Sequence, residues 1–213
     1  MSEKTIFLEK VSDLFFENGA KAVTMDDVAK HVSISKRTLY EEYTNKEELL
    51  TAILDFKLQK VIDTLKSIEA ENTNAIEKIL IREKNFEKFS NTNQSVFIRQ
   101  LVKYYPAIFD HHILTMNEKI SEILFNNIEK GRREGLYREN FNESLYIRFF
   151  LQLMLSFENS VLFENEQCER SQFCFESVMF YLHSITTEKG RQILAKMNFE
   201  RDFKSDDQII KEN

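Results

Sequence analysis

The chain has 213 residues, enough for one large domain or two small ones, and its 42% hydrophobic and 30% charged residues suit a soluble globular protein. Four Gly and one Pro leave too little turn chemistry for a β-rich fold, so the expected class is all-α, with 19 Phe and no Trp supplying a bulky aromatic core. The formal net charge is −6, and the first 50 residues hold seven Lys and Arg against ten Asp and Glu, which is −3, so any nucleic-acid binding must use a local basic patch on an acidic background and depend strongly on salt.

In chain order, residues 4–18 read as a first helix, because Phe7, Val11, Leu14 and Phe15 share one face and Gly19 stops it. Three helix starts then fall within 23 residues. Thr24 caps one, with Asp27 at the capping-box position and Val23 and Val28 as its hydrophobic staple. Ser35 caps the next, with Ile34 and Leu39 at the staple positions. Asn45 caps a third, with Glu48 at the box position. Only a short turn, 32–34, separates the first two, which makes a helix-turn-helix whose second helix can enter a major groove. From Val28 to Tyr40 there is no acid, while Lys30, Lys36 and Arg37 are basic. Lys36 and Arg37 sit in a first helical turn, where acids are normally preferred, so they point to an anion such as phosphate. The plain alternative is a solvated basic face.

A fourth helix over 46–69 carries a long apolar stripe, from Leu50 through Leu54, Leu58, Val61, Ile62 and Leu65 to Ile68, and reads as the mechanical link to the rest. Residues 71–74 are a connector. Helices follow at 75–89 and 95–104, then at 107–133 after Pro106, with His111 as the place where that helix would break. The helix at 143–163 is apolar almost all round, and the one at 171–185 repeats the pattern. Two such helices exceed the needs of one small core, so a homodimer through both is expected, with a wholly intramolecular core as the alternative. One more helix is expected at 188–197.

No catalytic constellation is present, and the expectation is a non-enzyme without cofactor or metal. His111 and His112 are adjacent and point about 100° apart on a helix. Cys168 and Cys174 do not share a helical face, and two cysteines make no disulfide scaffold. MSEKTIFLEK lacks a signal-peptide apolar run, and no run of about 18 apolar residues occurs, so a cytoplasmic protein with no membrane span is expected. Space between the helices from 46 to 163 would take an apolar or aromatic small molecule, with Phe86, Phe97, Tyr104, Tyr105, Phe109, Met116, Phe150 and Met154 as candidate liners.

Residues Thr24–Leu50 resemble the DNA-binding segment of TetR-type transcriptional regulators. The resemblance rests on Thr24, Asp27, Val28, Ala29, Ser35, Thr38, Leu39, Tyr40, Asn45, Lys46, Glu47 and Leu49, with Tyr43 where the family usually has Phe. It departs at Ser33, where the family usually has Gly; a non-glycine residue at positive φ is costly, which predicts a slightly re-angled turn. The resemblance implies phosphate contacts for Tyr40 and Lys46, and DNA contacts by Thr24, Ser35, Lys36, Arg37 and Thr38. It further implies a helix-turn-helix domain at 1–48, a ligand-binding and dimerisation domain at 49–213, a near-palindromic double-stranded operator, and repression relieved by a small molecule. The alternative is a helical interaction protein whose helix-turn-helix no longer binds DNA, which the acidic charge keeps open.

Overall fold

The structure is a computed structural model that describes residues 2–89, 92–159 and 169–197, with side chains left out at 85–95 and 158–159. Its helices are α1 (Glu3–Asn18), α2 (Met25–His31), α3 (Lys36–Glu42), α4 (Lys46–Glu69), α5 (Ala75–Phe89), α6 (Thr92–Tyr104), α7 (Pro106–Arg133), α8 (Glu143–Asn159) and α9 (Arg170–Ile185). A further helical segment spans 188–197. The all-α expectation is met. α7 runs unbroken past His111, against the expected break, and Pro106 sits in its first turn, where its missing N–H costs nothing. Residues 160–163 of the expected eighth helix lie outside the described residues.

The short N-terminal helices exist because their caps are written into adjacent sequence. Thr24 Oγ1 accepts the Asp27 N–H at 3.2 Å, and the Thr24 N–H donates to Asp27 Oδ2 at 2.9 Å, a complete capping box. Ser35 Oγ accepts the Thr38 N–H at 3.0 Å, and Asn45 Oδ1 accepts the Glu48 N–H at 2.8 Å. Glu48 closes its own loop one residue further back than a capping box would, accepting the Thr44 N–H. Ser33 takes φ 60° in the turn. The turn therefore has a left-handed residue without glycine. An L-residue in that region costs of order 1 kcal/mol.

One apolar cluster joins α1–α3 to the first half of α4, centred on Val11, Phe15, Val28, Leu39, Leu49, Leu50 and Ile53, and it takes in Phe97 and Leu101 of α6. A second holds α5, α7, α8 and α9 around Ile76, Ile128, Tyr137, Ile147, Leu182 and Ile185. The second half of α4 bridges the two, with Leu58, Ile62 and Leu65 packed on Ile123 of α7. α4 is thus continuous with both regions, as a mechanical link must be.

Candidate nucleic-acid interface and ligand cavity

The outer surface of the helix-turn-helix is built by α3 and the tip of α2. Leu39 is buried and fixes the inward face of α3, so Lys36, Arg37, Thr38 and Tyr40 are left outside. Tyr40 is 49% exposed, unusual for a tyrosine on a helix anchored in a core. Its hydroxyl is therefore available as a donor or acceptor. Lys36 Nζ meets Asp26 Oδ2 at 2.5 Å, and Arg37 Nε meets Glu41 Oε1 at 2.8 Å. Both pairs are solvent-exposed, and pairs of that kind contribute little, roughly 0–1 kcal/mol, so a phosphate can displace either acid. The Thr24 hydroxyl is committed to Asp27, donating to Oδ2 at 2.6 Å. Those Thr24 contacts hold the Asp27 carboxyl below the usual carboxylate range, so it stays charged at the helix start.

Lys46 is placed differently from the rest of the set. It begins α4, and its ammonium folds back to donate to the Lys21 carbonyl at 3.1 Å, 5.8 Å from the Phe15 ring centre and 5.7 Å from that of Tyr105. Desolvation there lowers its pKa, partly offset by Glu47 and Asp27. The Lys21 carbonyl takes one of its three N–H donors.

A cavity of about 190 Å³ lies between α4, α5, α7, α8 and α9. Leu65, Ile79, Ile120, Ile123, Leu124 and Leu151 are among the apolar residues of its wall. Of the eight residues proposed from sequence, Met116, Phe150 and Met154 line it. Four lie elsewhere. Phe97 is fully buried in the N-terminal cluster, edge-on to Phe15 and Phe16, because α6 packs on α1. Tyr104 is 40% exposed, with the Lys21 ammonium over its ring at 4.5 Å. Tyr105 and Phe109 pack on that same N-terminal cluster. The Phe86 side chain lies outside the described ones.

Sequence reading missed the polar part of the wall. Arg82 is 6% exposed and Glu83 5% exposed, and both line the cavity together with Arg170 and Cys174. Lys78, one turn before Arg82, is 1% exposed and donates to the carbonyls of Ile68, Glu69 and Glu71, closing the C-terminal end of α4. The available signal was the run 75–83, AIEKILIRE, where charged residues sit on every side of a short helix that must be buried. Among the described residues no group of three His, Cys, Asp or Glu could hold a metal ion, and no helix is long and apolar enough to cross a membrane.

A second concavity, of about 200 Å³, opens on the outer face of α8 and α9 and is lined by Tyr146, Phe149, Phe150, Leu153, Phe180, Tyr181 and Ser184. Phe149 is 63% exposed and Phe180 70% exposed on this face.

The sequence profile of the bacterial regulatory proteins, tetR family, matches residues 8–53, the capped unit just described. The chain is 24% identical over 151 residues to the fatty acid metabolism regulator protein of Bacillus subtilis (strain 168), covering 69% of this chain and 75% of that one. It is 26% identical over 150 residues to the HTH-type transcriptional repressor KstR2 of Rhodococcus jostii (strain RHA1), covering 68% and 73%. A solved transcriptional regulator from Cytophaga hutchinsonii ATCC 33406 shares the fold, with a TM-score of 0.67, 17% identity, and coverage of 87% of this chain and 99% of that one.

Proposed function

We propose that this chain, whose residues 8–53 match the sequence profile of the bacterial regulatory proteins, tetR family, is a ligand-responsive, dimeric transcriptional repressor. The observation that carries this reading is the capped helix-turn-helix, which holds Lys36, Arg37, Thr38 and Tyr40 outside a buried Leu39. α3 enters the major groove, with Thr24, Ser35 and Tyr40 at its phosphate edges. Lys46 joins them with its remaining N–H donors. The helix-turn-helix unit at 1–48 reads DNA, and 49–213 binds ligand and dimerises.

The dimer forms through the outer face of α8 and α9. Two large aromatic residues, Phe149 and Phe180, stand exposed beside one concavity, and a surface of that kind is covered by a partner. A second copy of the same face covers it under two-fold symmetry, which in turn gives a near-palindromic operator. The effector occupies the cavity between α4 and α9, whose walls are mostly apolar with a few charged groups. That choice of ligand class agrees with the name of the Bacillus subtilis relative, a fatty acid metabolism regulator. Occupancy moves α4 and with it the separation of the two α3 helices; the ligand must bind the two arrangements with different affinity to do so.

The acidic partners of Lys36 and Arg37 favour one competing reading, a helical interaction protein that no longer binds DNA. Duplex binding measured against salt separates them. The repressor reading predicts binding at low salt, with a log–log slope that falls by about 1.8 in the double variant Lys36→Ala/Arg37→Ala, at about 0.9 per lost phosphate contact. A folded, dimeric protein that binds no duplex even at low salt overturns it, and an unchanged slope removes both residues from the interface.

A further inference from the structure

Arg82 carries more hydrogen-bonding capacity than the protein uses. A guanidinium presents five N–H donors, and a buried donor left unmade is costly. Among the described residues Arg82 forms one ion pair, from Nη2 to Glu69, while Nε and Nη1 are buried with no hydrogen-bond partner. Desolvation draws its pKa down to about 10, so it remains a cation inside an apolar wall. The buried hydroxyl of Tyr181 also has no hydrogen-bond partner. The Arg82 charge opposes the burial that raises the pKa of that hydroxyl and of Tyr137. Tyr137 is satisfied, donating to Asn127 Oδ1 at 3.1 Å. Glu83 and Arg170, the other charged groups on the wall, are each engaged.

The partner of Arg82 is the replaceable one. Glu69 is the last residue of α4, and its side chain is 28% exposed against 7% for Arg82. The arginine is fixed in the wall, whereas the glutamate has a path to water. A carboxylate arriving from the cavity side can take two guanidinium N–H groups at once, a geometry stronger than a single contact.

We propose that the cavity takes an apolar carboxylic acid whose carboxylate binds Arg82 in place of Glu69, so that occupancy exchanges the ion pair between α4 and α5 for a contact with the ligand. The proposal rests on the effector reading of this cavity and adds to it the headgroup chemistry and the contact that is exchanged. Lys78 keeps α4 capped throughout, so what is released is one ion pair and not the helix end.

Calorimetric titration of the full chain with dodecanoate, dodecanol and dodecanoyl-CoA, each below its micelle concentration, tests this. The acid binds at least about tenfold more tightly than the alcohol, a gap of about 1.4 kcal/mol. Arg82→Met brings the acid down to the alcohol's affinity and leaves the alcohol unchanged. Glu69→Gln tightens the acid by removing its internal competitor. Equal affinity of the native protein for acid and alcohol overturns the proposal while leaving an apolar cavity in place. A thioester that matches the acid overturns it in the same way, because the free carboxylate is then not what is read. Binding of none of the three overturns the proposal and the effector reading together. The comparison of acid with alcohol needs no variant, so a misfolded Arg82→Met leaves the test intact.

Discussion

The helix-turn-helix and the α4–α5 corner are held together by different balances of local and longer contacts. In the first, each helix start is satisfied from three residues away: Thr24 with Asp27, Ser35 with Thr38, Asn45 with Glu48. In the second, Asn74 caps α5 locally by accepting the Ile76 and Glu77 N–H groups, but further backbone groups are satisfied by side chains of other elements. Lys78 closes the end of α4, and Glu134 accepts the Ala75 N–H at 2.9 Å from 59 residues away. α7 and α9 begin with no side-chain cap at all. A region built from local contacts keeps its shape while the rest shifts, which suits a rigid reading head. A corner built from long-range contacts changes when one of them is exchanged, which suits a responsive site.

The sharpest way to break this contrast is Lys78→Met. It removes a buried ammonium and its three hydrogen bonds to the carbonyls of Ile68, Glu69 and Glu71, of which Ile68 keeps the Glu71 N–H, so it costs roughly 1.5–3 kcal/mol. Urea denaturation measures the loss, and hydrogen exchange should place the loosening at the end of α4, with α2 and α3 still protected. Protection lost equally in both regions would show that the two are not separately held. Thr24→Ala works from the other side. Losing the capping box costs about 1 kcal/mol and should loosen α2 while leaving the α4–α5 corner unchanged. Ser33→Gly relieves the left-handed turn residue and, after the added freedom of the unfolded chain, stabilises by up to about 1 kcal/mol. A destabilised Ser33→Gly protein would mean that the serine contributes something beyond its backbone angle.

The smallest effect concerns the tie between α1 and α4. Burial raises the Glu9 carboxyl pKa, but ion pairs with Lys60 and Lys57 outweigh it and leave the pKa below its ordinary value. A depressed folded-state pKa gives stability that is present above the unfolded value, 4.5, and is lost as pH falls through the folded value. Acid titration of stability should therefore show a drop beginning near pH 4.5 that is shallower in Glu9→Gln. Identical profiles would remove this pair from the coupling between α1 and α4.

The same contrast explains what was legible in the sequence. Caps and staples are short-range patterns, so α1–α4 were readable to within a residue. The left-handed turn was not, because Ser33 accepts an angle that its residue type disfavours. The cavity was poorly readable, since its wall draws single residues from five helices. Aromatic residues near one another in sequence suggested Phe97, Tyr104, Tyr105 and Phe109, yet α6 packs on α1 and carries them to the N-terminal cluster. Arg82 and Lys78 carry no mark in the local sequence that sets them apart as buried cations, and it is the packing of α5 against α4, α7 and α9 that buries them.

The central claim is that two copies of this chain read DNA together. Selection of bound duplexes from a random pool by the purified full chain, at moderate salt, tests it most directly. The account predicts an inverted repeat whose half-site centres lie about one helical turn apart, or a multiple of that. A folded, dimeric protein that enriches no sequence, or enriches a single unrepeated site, would contradict it.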